Sequence, residues 1–348
     1  VAAAVAVVVA LGVVGMPRPA DAAEGDFRIS DPRITESSGL ALSHLHAHTV
    51  WTANDSGDIA RIFAVDTRTG RTTGVHTFHA PVTDVEALAI TPQGRVLVAD
   101  IGDNTASRDL VRVYWFDEPA LGSTAGSWAS WELAYPDGPH DAESIAVNPR
   151  TSRVYVITKG SSGAIYALPA NPVRRGINRL VRVAGAPAVA TDAVFLADGS
   201  ALAVRTYTAL VVLDAQTWQA RSTQLLPLQP QGETLSLAPD SGLLAGSEGR
   251  RSLVQRVRPT PAPPPTGPSP SPATTSPTPA TVPTTGARSD ASSDTPTSKA
   301  PVQAHGAQLL SGPAASAGLK ALPVALLIAL LVALALLGAR LLHRRTRR

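Results

Sequence analysis

From residue 27 to 257 the apolar residues fall in short runs of Val, Leu, Ile and Ala, each ended by Gly, Pro, Asp or Asn. Runs of that length, rich in β-branched residues and closed by turn formers, predict strands rather than helices. One arrangement recurs five times. A first run starts at Ser38, Glu86, Glu143, Asp192 and Glu233. A turn follows, as at Thr91-Pro92, Asn148-Pro149, Asp198-Gly199 and Pro239-Asp240. A second run begins near Val50, Val96, Val154, Leu202 and Leu243, and a third near Ile62, Val113, Ile165 and Leu210. A more polar fourth run leads into the next unit.

The spacing of these units, about 41 to 57 residues, is that of propeller blades: four-stranded sheets that cannot bury their own faces and must stack on their neighbours. The chain is therefore expected to be all-β, a β-propeller of five blades, with six as the alternative. A β-sandwich is the competing all-β fold. The fifth unit stops after its third strand near Val257, and the spare segment 27–34 is expected to supply the missing outer strand and close the ring.

The flanks have a different pattern. Residues 1–23 begin with a continuous apolar run and end in Ala20-Asp21-Ala22-Ala23, which predicts a secretory signal peptide whose N-terminus is truncated. Residues 258–318 form a Pro/Thr/Ser/Ala tract with too little apolar surface to offset chain entropy, an expected disordered stalk. Residues 319–340 contain an uncharged Leu/Ala/Val/Ile run, Ala321 to Ala339, whose length at ~1.5 Å per residue is ~28 Å, enough for one transmembrane helix. Arg340, Arg344, Arg345, Arg347 and Arg348 follow it. By the positive-inside rule, 341–348 is then a cytoplasmic tail and the 26–257 propeller stands outside a cell membrane on a single span.

Charge changes the picture only there. The formal net charge is +3, but without those five terminal arginines the rest of the chain is slightly acidic. No basic stripe with interleaved aromatics occurs, so nucleic acid is not an expected partner. The chain has no cysteine, which excludes disulfides, thiolate metal sites and a lipidated cysteine anchor. It carries no GxSxG, HExxH, P-loop or GxGxxG after a strand, so no familiar catalytic motif points to a reaction.

Candidate chemistry comes from register. In an antiparallel pair the start of the first strand and the end of the second share one edge. That edge collects Glu36, Asp84, Glu86, Asp141, Glu143, Asp192 and Glu233 from first strands. From second strands it collects Asn54, Asp55, Asp100, Asp103, Asn104, Lys159 and Arg205. Carboxylates and amide oxygens at one rim of a channel suit a hard cation such as Ca²⁺, while Lys159 and Arg205 there offer ion pairs or an anion contact. The competing reading is that these acids cap strand ends. His44, His46 and His48 alternate along the turn at the opposite rim and read as a solvated loop.

Four segments carry a resemblance: ESSGLA at 36–41, WTANDSGD at 51–58, ADIGDN at 99–104 and RTY at 205–207. In these the chain resembles exported, membrane-anchored bacterial β-propeller proteins described as WD40-like or YVTN-like repeat proteins of unknown function. It is less closely similar to phytase-like and gluconolactonase-like propellers, a resemblance that implies calcium held by acids around the channel. The expected function is a cell-surface binding module for an extracellular protein or glycan. The alternative is a calcium-dependent hydrolase or lactonase using the ring of carboxylates.

Overall fold

The structure, a computed structural model, describes residues 25–260. The expected signal peptide, most of the stalk, the membrane helix and the basic tail lie outside the described residues. Inside them every regular element is a strand.

Five sheets account for all strands. The first strand of the chain, β1 (Phe27–Arg28), belongs to blade 5. Blade 1 itself holds β2 (Ser37–Leu42), β3 (Thr49–Asn54), β4 (Arg61–Asp66) and β5 (Thr72–Thr77). Blade 2 begins with β6 (Val85–Ile90), β7 (Arg95–Asp100) and β8 (Val111–Asp117). The chain then leaves it as β9 (Gly122–Ala125) and returns as β10 (Ala129–Ala134). Blade 3 uses β11 (Ala142–Val147), β12 (Val154–Thr158) and β13 (Ala164–Ala167), departs as β14 (Ile177–Arg179) and ends with β15 (Val181–Gly185). Blade 4 is β16 (Ala190–Phe195), β17 (Ala201–Thr206), β18 (Ala209–Asp214) and β19 (Ala220–Leu225). Blade 5 is β20 (Gly232–Leu237), β21 (Leu243–Ser247) and β22 (Leu253–Val257), with β1 antiparallel on its outer edge.

The first strands β2, β6, β11, β16 and β20 stand side by side, and β20 packs against β2, so the five blades form a closed propeller. Closure by the N-terminal segment follows expectation. Phe27 pairs with Val254, the Ile29 N–H reaches the Ser252 carbonyl at 3.0 Å, and the Ser30 N–H reaches the Gly70 carbonyl of blade 1 at 2.8 Å. Phe27, Ile29 and Ile34 are buried with Val254 and Leu244 of blade 5 and Val50, Phe63 and Val65 of blade 1. One short segment thus ties the last blade to the first, removing an open edge.

Two strands were not expected. β9 adds in parallel to β5, and β14 adds in parallel to β10, so blades 1 and 2 have five strands each. In both cases a detour from the next blade covers the outer edge of the preceding one. Their sequences, GSTA and INR, are mostly exposed and carry no apolar alternation, which is why the periodic pattern does not reveal them.

The core lies between blades rather than within them. Five buried clusters correspond to the five blade contacts. Large residues of the first strands, such as Leu40, Leu88, Ile145 and Leu235, pack toward the preceding blade. Small residues one position on, such as Ala41 and Ala146, receive the following blade.

Candidate functional site

Strand pairing defines the rim of the channel residue by residue. The last residues of the second strands, Asn54, Asp100, Thr158, Thr206 and Ser247, pair with Ser37, Val85, Ala142, Ala190 and Gly232. One unopposed residue follows in each first strand: Glu86, Glu143, Thr191 and Glu233 directly after this pair in blades 2 to 5, and Gly39 in blade 1, where Ser38 still pairs with Ala53. A bulge turns its side chain away from the regular pleat. In blades 2, 3 and 5 this brings a glutamate to the channel mouth; Ser38 and Thr191 hold the corresponding places in blades 1 and 4.

The three glutamates are buried at 4 to 7% exposure. The Ser38 hydroxyl donates to the Glu86 carbonyl at 2.7 Å and to Glu86 Oε2 at 3.2 Å. Lys159 Nζ donates to Glu143 Oε1 at 2.7 Å, and Gln231 Nε2 donates to Glu233 Oε1 at 3.2 Å and also bonds Glu248. Half-buried Asp55 and Asp84 join Glu86 so that one carboxylate oxygen of each lies within 4.8 Å of the others. Gly102 allows that approach: a Cβ there would stand 2.4 Å from Asp84 Oδ2 and 2.6 Å from Glu86 Oε1.

Crowding acids together out of water disfavours their charge. Burial, then repulsion from Glu143, Asp55 and Asp84, pushes Glu86 up to about 10. Burial and the Glu143 charge push Glu233 to about 8. Asp84 rises to about 7 through burial and a hydrogen bond shared with Asp55. Glu143 also rises by burial, but Lys159 beside it limits the rise to about 7. Burial alone would neutralise Lys159; the Glu143 carboxylate outweighs it and holds the ammonium charged. At neutral pH the mouth therefore carries protonated Glu86 and Glu233, Asp84 near its midpoint, and Glu143, likewise near its midpoint, paired with the Lys159 ammonium. An arriving cation can displace protons rather than meet a fixed high charge.

The structure brings Asp55, Asp84, Glu86, Glu143, Lys159 and Glu233 together, and Asp141 borders them. It separates the others. Asp192 stands one residue beyond the glutamate position, because Thr191 is the unopposed residue of β16. Its side chain faces blade 5, accepting the Leu235 N–H at 2.6 Å and its neighbour Ala193 N–H at 2.8 Å. Arg205, expected at the rim, is wholly buried one residue short of the β17 end. It donates to the Thr234 carbonyl at 3.1 Å and to Gln229 Oε1 at 2.5 Å. Burial lowers its affinity for a proton, opposed by Asp192 and Glu233.

Asn54 and Asp100 do the work of caps. Asn54 Oδ1 accepts the Thr35 and Glu36 N–H groups, and Asp100 accepts those of Thr83 and Asp84 as well as the Arg108 guanidinium at 2.9 Å. Asp103 accepts the Arg108 N–H at 2.7 Å and gives its own N–H to Asp141 Oδ1 at 2.9 Å, which links blade 2 to blade 3. Asn104 and Glu36 are exposed. For Asn54, Asp100 and Asp103 the capping reading describes the contacts present.

Sequence reasoning passed over two neighbours of the mouth, Gln231 and Tyr207. Tyr207 follows β17 at the register of Lys159 and Asp55, and its ring centre lies 5.6 Å from Lys159 Nζ; that shared register was the available signal. Also missed is a group in blade 3, in which the buried Tyr166 hydroxyl meets Asp137 Oδ2 at 2.9 Å and His140 Nε2 at 3.0 Å. His44, His46 and His48 lie at the other end of the ring, where His46 Nε2 bonds the Pro119 carbonyl at 2.8 Å.

No protein-family model matches the chain, and no curated protein matches it. Among solved structures it is similar to the Cps50 (Swd1) β-propeller domain of Myceliophteria thermophila, at 15% identity and a TM-score of 0.37. That match covers 63% of this chain and 63% of the other, so the chain spans less than two thirds of that domain's length. The order of the five sheets, rather than this distant likeness, identifies the chain as a five-bladed β-propeller.

Proposed function

We propose that the chain is a binding module that works through the carboxylate end of its channel, displayed outside a membrane toward an extracellular protein or glycan, with Ca²⁺ as part of the binding site. The observation that carries this reading is the convergence of Asp55, Asp84 and Glu86 beside Glu143 and Glu233, with Lys159 the one ammonium at the mouth among the described residues. The donor set fits a hard divalent ion: three carboxyl groups offer up to six oxygens, and water completes the shell. Such an ion would neutralise the mouth and present open coordination sites to hydroxyl or carboxylate oxygens of a partner.

Calcium titration of the full-length chain in detergent, followed by calorimetry, tests this. Binding is expected with Kd on the order of 10⁻⁴–10⁻³ M, as in extracellular modules. Between about one and two protons should leave per ion, since Glu86 is protonated and Asp84 is near its midpoint at neutral pH. Asp84→Asn should remove the heat. No heat and no thermal shift with Ca²⁺ would overturn the proposal.

A hydrolase or lactonase is the second reading. It draws on neighbouring carboxyls whose proton affinities are pushed apart, Glu86 at about 10 and Glu143 at about 7, as an acid and a base must be. Calcium-dependent turnover of lactones or phosphate esters, lost in Glu143→Gln, would favour it over pure binding.

A further inference from the structure

The opposite end of the channel has a different chemistry. There a cavity of about 190 Å³ is lined by the distal halves of all five first strands, including Leu42, Ile90, Val147, Phe195 and Leu237. Leu40, Leu88, Ile145, Ala193 and Leu235, each buried at 1 to 3% exposure, line its inner part. The cavity is a cup at the end of the channel opposite the carboxylates. Among the described residues His44 is the one titratable side chain in its wall. The walls are not wholly inert. Each first strand pairs only with the second strand of its own blade, so its other edge has no strand partner, although side chains take some of its groups, as Asp192 takes the Leu235 N–H.

We propose that this cup is a second binding site, for a small uncharged molecule with an apolar body about the size of a benzene ring and one hydrogen-bonding group. Size and wall chemistry select that occupant. Apolar cavities of roughly 150 Å³ accept benzene, whereas a helix, ~10 Å across, does not fit within a cup of this volume. An ionised ligand would lose its hydration with no opposite charge to meet it. A ligand with one hydroxyl or N–H can use a free strand edge. This site does not depend on the carboxylate mouth, and either can fail without the other.

The test uses phenol, indole and benzoate as probes with the full-length chain, reading thermal shift together with ligand-observed NMR. Phenol and indole should bind and raise the melting temperature. Benzoate at a pH where it is ionised should bind at least ten-fold more weakly. Val147→Phe and, separately, Ile90→Phe place a ring into the void from half-buried positions. Either variant that retains a cooperative melt should lose phenol binding at least ten-fold. The proposal is overturned if neither phenol nor indole binds, if benzoate binds as well as phenol, or if a folded plugged variant binds phenol as the parent does.

Discussion

Glu233→Gln should make the domain more stable at alkaline pH and leave it unchanged near pH 5. Glu233 has an ordinary value of 4.5 and is pushed to about 8, first by burial and then by Glu143. The folded state thus holds this proton more tightly than the unfolded chain. Below 4.5 both states are protonated and the contribution is fully present; it is lost as pH rises through about 8, because the folded state then either keeps a proton the solvent no longer favours or buries a charge. Between those values the native state binds more protons, so stability falls with pH. The gap corresponds to a ceiling of roughly 5 kcal/mol at 1.36 kcal/mol per unit. Relaxation of the site around a buried charge reduces this to about 2 kcal/mol. The amide keeps the acceptor used by Gln231 but never ionises. Denaturant unfolding of parent and variant in calcium-free buffer at pH 5 and pH 8.5 measures the difference directly. An advantage of about 2 kcal/mol for the variant at pH 8.5 and about zero at pH 5 is expected. An equal difference at both pH values, or a parent that gains stability between them relative to the variant, would refute the argument that Glu233 is held protonated by its surroundings.

Other perturbations follow from the same contacts. Phe27→Ala removes the buried anchor that ties blade 5 to blade 1 and should cost about 3 kcal/mol, read as a lower denaturation midpoint with the slope unchanged. Gly39 has φ +71° and an added Cβ would stand 2.5 Å from the Leu88 nitrogen, so Gly39→Ala should destabilise by more than about 2 kcal/mol, measured in the same way. Arg205→Ala leaves the Thr234 carbonyl without its buried donor and opens a cavity beside Gly232. A loss of about 3–5 kcal/mol in unfolding free energy is expected, against near zero if the residue were a solvated rim group.

What the residues by themselves determined is the local and repeating part of this molecule. Short apolar runs broken by Gly, Pro and Asp specify strands, and their recurrence specifies blades, because each strand's alternation depends on its own side chains. The incomplete fifth unit even foretold that Phe27 would close the ring. Glu86, Glu143 and Glu233 were legible as one column for the same reason. Tertiary structure decided the rest. Matching acids with acids put Asp192 in that column, but only its pairing with Arg205 shows it one residue beyond, where its carboxylate caps blade 5. β9 and β14 have no pattern because their partners, not their side chains, make them strands. The proton affinities at the mouth likewise come from residues 29 (Asp55 and Asp84) to 90 (Glu143 and Glu233) positions apart whose carboxyls share one dry space. Distances across blade contacts, unlike periodicity along a strand, are set by how the sheets stack.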